Sequence, residues 1–183
     1  MKKILVYSLA AFLMACGENK SENKAQEQLI EVDTMAQKKE LNKHVSAERS
    51  AVIDDELASS VYDQYNKIKT ALVNSDAKTA KMVAVELLKS TGPELESTGL
   101  RESISIMANT QDIEEQRKSF SAFTAVVKNM VEGKISSGTI YYDYCPMAFN
   151  GKGAYWLANE EQIQNPYFGD KMLNCGTVEG KLE

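Results

Sequence analysis

Histidine is almost missing from this chain of 183 residues: His44 is the only one, so the commonest catalytic base and metal ligand is close to absent. Cysteine is scarce as well, at three, and no two stand as Cys-x-x-Cys, which excludes a thioredoxin-like redox motif. No glycine-rich loop stands between a strand pattern and a helix pattern, and no histidine stands near a nucleophile, so an enzyme is not expected. Basic charge is in deficit, 21 Lys and Arg against 26 Asp and Glu for a net charge of -5, with no sustained basic stretch. Nucleic acid is therefore not an expected partner. Three prolines and ten glycines exclude a collagen-like repeat, and apolar runs are too short for a polytopic membrane protein. What is present, 43% hydrophobic and 26% charged residues, fits a globular protein with a short processed leader.

Lys2 and Lys3 precede an apolar run over residues 4–15, too short to span a bilayer but the size of a secretory signal. The run ends Leu13-Met14-Ala15-Cys16-Gly17, which resembles the bacterial lipobox, where the cysteine is acylated and becomes the new N-terminus. Residues 1–15 are read as a lipoprotein signal peptide and Cys16 as the lipidation site; the competing reading is an ordinary signal with an incidental cysteine. Two or more acyl chains would hold the protein on the lipid bilayer, at about 0.8 kcal/mol per buried methylene, outside the cytoplasm where thiols can oxidise. Gly17 carries no acidic inner-membrane retention signal, which favours the outer membrane, facing the periplasm. Residues 16–50 are rich in Glu, Lys, Asn and Gln and read as a flexible tether with a reach of roughly 30 Å. His44 falls in it and is read as a solvated linker residue rather than a metal ligand.

Residues 51–183 then form the domain. Ile53, Leu57, Val61, Tyr65, Ile68 and Leu72 fall at helical spacing. Asn74-Ser75-Asp76 breaks that helix and caps a second, with Ala77, Ala80, Ala84, Leu87 and Leu88 inward, ending at Gly92-Pro93. A third covers Leu100, Ile104 and Met107. A fourth opens with the capping-box spacing of Asp112 and Glu115 and carries Ile113, Phe120, Phe123, Val127 and Met130 up to Gly133. The expected fold is mainly α, an antiparallel four-helix bundle with a short C-terminal β-hairpin and a Cys-containing turn. Met82, Met107 and Met130 are read as core, and no His-Glu spacing supports a di-iron site.

After Gly138 aromatics and glycines replace alanine and lysine, and Cys145 and Cys175 both fall here. Residues 139–147 and 153–158 read as the two strands of a hairpin turning at Asn150-Gly151-Lys152-Gly153. Strand alternation puts Cys145 and Met147 on one face, and a helical turn after Asn165-Pro166 would do the same for Met172 and Cys175. Each half offers one thiol and one thioether.

The string YYDYCPMAFNGKGAYWLANEEQIQNPYFGDKMLNCG resembles the signature of the bacterial family numbered 3347 among domains of unknown function, and the DIEEQR start of the fourth helix looks like the same family. The resemblance runs from about Asp54 to the end, with the Cys-Pro-Met and Met-x-x-Cys-Gly parts intact. Domains similar to this occur as envelope lipoproteins and as extensions of heavy-metal efflux adaptor proteins. The resemblance therefore implies a soft-metal site, copper above all, with heavy-metal efflux components as partners.

Thiolate and thioether donors select Cu(I) over hard cations, and zinc or calcium would want His, more Cys or oxygen clusters. Cys145, Met147, Met172 and Cys175 are thus the expected metal ligands, with Cu(I) the only cofactor in prospect. The alternative is a Cys145–Cys175 disulfide with Met147 and Met172 beside it against the aromatics, in an envelope interaction module without metal. On this reading exposed Tyr, Trp and Phe side chains would dock a partner. Asp143 with Glu160 or Glu161 makes a conceivable carboxylate pair, but the expectation is solvated surface at a hairpin end.

Overall fold

Three of the helices begin where an acidic side chain takes over unpaired N–H groups. In the computed structural model, which describes residues 43–92 and 99–183, Asp55 accepts from the Ala58 amide at the start of α1 (Glu56–Val73). Asp76 accepts from Thr79 at α2 (Ala77–Ser90). After α3 (Leu100–Asn109), Asp112 accepts from Glu114 and Glu115 at α4 (Ile113–Val131). Such caps stabilise a helix by about 1 kcal/mol each. The capping box expected at Asp112 closes differently: Glu115 accepts from the Thr110 hydroxyl, which in turn accepts from the Asp112 amide.

Neighbouring helices pack in sequence order, α1 on α2, α2 on α3 and α3 on α4, and α1 also packs on α4. Between them Tyr65, Phe120 and Phe123 are fully buried and their rings lie 4.8–6.4 Å apart between centroids. Met107 belongs to this core, Met130 is half-buried, and Met82, expected inside, is 60% exposed. The first helix starts later than its spacing suggests. Ile53 lies in β1 (Val52–Ile53), paired antiparallel with β2 (Ile135–Ser137), and Leu57, in the first turn of α1, is exposed.

The C-terminal part is larger than a hairpin. β3 (Ile140–Cys145) and β4 (Ala154–Ala158) pair antiparallel through a tight turn over Ala148–Gly151 in which Phe149 and Asn150 take left-handed backbone angles. The chain end returns as β5 (Thr177–Leu182) on the other side of β3, giving the order β4-β3-β5. Half-burial of Val178, Gly180 and Leu182 against exposure of Thr177, Glu179 and Lys181 is the alternation of an edge strand with one face covered. β4 packs on α4, which joins sheet to helices. The Tyr65 hydroxyl strengthens that junction, since the Leu157 amide donates to it at 2.8 Å. Tyr65→Phe strands this buried donor, and urea unfolding is expected to show a loss of about 2 kcal/mol.

The expected tether is shorter at its C-terminal end. His44–Glu183 forms one unit, and residues 44–50 lie on it: Asn159 Nδ2 donates to the Ala47 carbonyl, and Arg49 bonds Ser59 and Asp63. His44 is no free linker residue, because its Nε2 sits 3.0 Å from Asp170 and its backbone exchanges two bonds with the Asn74 side chain. The expected signal peptide, Cys16, the rest of the expected tether and Pro93 lie outside the described residues. Among those described, no helix is long and apolar enough to cross a membrane.

Candidate functional site

The two halves of the sulfur-bearing segment do meet, through their cysteines. Cys145 ends β3 on its inner face and is fully buried; Cys175 lies just before β5 and is partly exposed. Both are free thiols, with Sγ atoms 3.2 Å apart. The hydrogen bond with Cys145, followed by burial, pushes the Cys175 thiol pKa up.

Three buried groups bring Cys175 back to β3. Asn165 donates through Nδ2 to the Cys175 carbonyl at 2.6 Å, receives the Tyr167 amide on Oδ1, and donates its own amide to the Leu173 carbonyl. Arg117, 2% exposed, reaches from α4 to the Pro166 carbonyl and to Ser75. The Tyr167 hydroxyl bonds the Tyr155 carbonyl. Gly176 follows Cys175 with φ +148, and a Cβ there would stand 2.7 Å from the Trp156 ring, so the Cys-Gly sequence is what lets the chain pass this close.

The methionines are placed otherwise than expected. β3 stops at Cys145, so strand alternation does not carry through to Met147, which sits in the following turn and is 54% exposed. The turn after Asn165-Pro166 is a 3-10 segment, Gly169–Lys171, ending before Met172; the Cys175 amide closes a separate turn on the Met172 carbonyl. Met172 is 37% exposed, so both thioethers lie nearer the surface than the buried Cys145 thiol. The donor set still fits a soft ion: two adjacent thiols as the first pair, with the two thioethers in neighbouring surface turns. Among the described residues no group of three or more His, Cys, Asp or Glu is arranged for a metal.

A second constellation, expected as solvated surface, is largely buried. Asp143 lies on the same inner face of β3 as Cys145, opposite Trp156 of β4, and is fully buried. Neither of its carboxylate oxygens nor the Trp156 Nε1 has a hydrogen-bond partner among the described residues. Lys69 on α1 is fully buried beside it, paired with Glu160, whose other oxygen accepts from the Ser46 hydroxyl and the Ala47 amide. Burial drives the Asp143 carboxyl up to about 7, with Lys69 opposing the shift and Glu160 adding to it. Burial also lowers the Lys69 pKa, against the pull of Glu160 and Asp143. Glu161, the other carboxylate considered, is exposed. The only signal in the sequence is an acid set among tyrosines in a strand, on the parity of Cys145.

No curated protein and no solved structure matches the chain significantly. A family model does: the one described as "Protein of unknown function (DUF3347)" matches residues 61–138. The match takes in α1 to β2 and stops before β3, a shorter span than the resemblance read from the sequence. Residues 61–138 are thus the part of the chain that is similar to the DUF3347 family.

Proposed function

We propose that this chain is a lipid-anchored envelope protein, without enzymatic activity, that binds one soft metal ion, Cu(I), in copper or heavy-metal handling or efflux support. The observation that carries the reading is the pair of free thiols, Cys145 and Cys175, brought to 3.2 Å from thirty residues apart in sequence. Two thiolates form a donor set selective for a soft cation, and the exposed thioethers of Met147 and Met172 stand in the turns that a copper donor or acceptor would meet first. The helical frame behind the site is read as an antiparallel four-helix bundle. Chelator competition on the reduced full chain tests the reading, with one Cu(I) per chain expected.

The same distance favours a second reading, the disulfide-stapled interaction module of the envelope without metal. Metal–thiolate bonds of about 2.3 Å would spread two ligands wider than this, whereas the pair has only to close to reach a disulfide length of about 2.05 Å.

Anchorage is tested apart from metal. Cys16→Ser is expected to release the protein from the membrane fraction or leave it unprocessed, and inhibition of the lipoprotein signal peptidase is expected to shift the mobility of the wild type. An unchanged mobility under the inhibitor overturns the lipobox reading.

A further inference from the structure

The two thiols are equivalent in chemistry and unequal in access. Cys145 is fully buried at the end of β3, under the sheet; Cys175 is partly exposed, in a turn between Met172 and Gly176. A disulfide on another molecule can reach the second sulfur without any opening of the fold, and can reach the first only after β3 and the turn over it separate. The 3.2 Å between the sulfurs leaves little movement for a bond to form between them once one is activated.

We infer that the pair is oxidised by thiol–disulfide exchange with an external disulfide, Cys175 forming the mixed disulfide and Cys145 resolving it. The partner is a molecule carrying an exposed disulfide, such as a thiol–disulfide oxidoreductase of the envelope. In the first step the Cys175 thiolate attacks one sulfur of the partner, whose S–S bond breaks, and the other partner sulfur leaves as a thiolate. In the second step the Cys145 thiolate attacks Cys175 Sγ, the mixed disulfide breaks and the remaining partner sulfur leaves. One S–S bond forms in this chain and one is lost in the partner. Two electrons pass to the partner, and the two thiol protons end on its two sulfurs or on water.

Several features suit the order. Asn165 holds the Cys175 carbonyl and not the sulfur, so the side chain that exchanges is positioned by backbone bonds that survive the reaction. The bond that closes joins the end of β3 to the turn just before β5, two strands already paired through Tyr144 and Thr177, so oxidation asks for no rearrangement of register. The inference rests on the disulfide reading above and is independent of copper.

The test uses the full chain carrying Cys16→Ser, which leaves Cys145 and Cys175 as its only thiols, reduced and freed of metal with a chelator. Oxidised glutathione is the probe, and acid-quenched samples are weighed intact by mass spectrometry. The parent is expected to form the internal disulfide with no lasting adduct. Cys145→Ser, and Cys145→Ala as its second version, are expected to hold one glutathione on Cys175. Cys175→Ser is expected to take up glutathione on the order of a hundredfold more slowly while native, as befits a group reached only through local opening, and to react freely once unfolded in urea. Circular dichroism on each variant establishes that it is folded. Uptake by native Cys175→Ser as fast as by Cys145→Ser overturns the order of attack and leaves the disulfide reading standing. A glutathione adduct that persists on the parent, with no internal bond, overturns the resolving step and the disulfide reading together.

Discussion

Cys145→Ser in the reduced chain is expected to abolish tight Cu(I) binding, and Cys175→Ser to do the same, while Met147→Leu and Met172→Leu each weaken it by no more than roughly tenfold, about 1.4 kcal/mol. The asymmetry follows from placement. Each cysteine supplies one of only two thiolates, and the segment that brings Cys175 to Cys145 is held by buried groups: Asn165 at the Cys175 carbonyl, Arg117 at Pro166 and Tyr167 at the Tyr155 carbonyl. Replacing either thiol by a hydroxyl exchanges a soft donor for a hard one that Cu(I) does not favour. The methionines are exposed, so each must be ordered to bind and contributes correspondingly less. Leucine keeps the volume of methionine, so a loss of affinity there reads the sulfur and not the fold. Chelator competition that returns wild-type affinity for Cys145→Ser would sink the metal reading and leave the stapled interaction module as the better one.

Asp143→Asn is expected to raise stability at pH 8 by on the order of 2–4 kcal/mol and to change it far less at pH 5. The carboxyl is held up at about 7 in the fold, chiefly by burial, against 3.8 for an unperturbed aspartate. Between those values the native state keeps a proton that the unfolded chain has released. Stability is therefore greatest below the lower value and falls as pH rises through the window, by up to about 1.4 kcal/mol per pH unit. Lys69 reduces the loss, because an ionised Asp143 gains a buried cation, while Glu160 increases it. Asparagine has the shape of the protonated acid and no charge to lose. Urea unfolding of both proteins across the range checks this, and a wild-type slope that survives in Asp143→Asn would show that some other group titrates.

The helices were legible because their signals are local: a cap followed by apolar residues at steps of three and four describes α2 and α4 to within a few residues, whereas α1, read from Ile53 on spacing alone, begins at Glu56. Met82 defeated that logic because a single methionine on a helix carries no information about which stripe finds a neighbour. The meeting of Cys145 with Cys175 was legible as a reversal of the chain, whereas the fate of the two methionines turned on where β3 and the 3-10 turn stop, a boundary that propensity does not fix. Lys69 and Asp143 were illegible for a related reason. Both types are ordinarily solvated, and only the three-dimensional approach of α1 to β3, with Glu160 supplied from the end of β4, encloses them. β5 was missed because Thr-Val-Glu-Gly-Lys-Leu alternates too weakly to stand out without the strand it pairs with.

The N-terminal strap over residues 44–50 also sets an order in time. Ser46 waits for Glu160, 114 residues later, and His44 waits for Asp170, 126 residues later. Contacts of such separation form slowly compared with the helices between them. While the chain is being synthesised, the helical segments can gather locally as each emerges, but the start of the domain stays loose until nearly the last strand has appeared. The Lys69 ammonium, whose anionic neighbours among the described residues are Glu160 and Asp143, cannot be enclosed before then either. A nascent chain stopped before residue 160 would thus keep residues 44–50 open and the Lys69 face of α1 solvated.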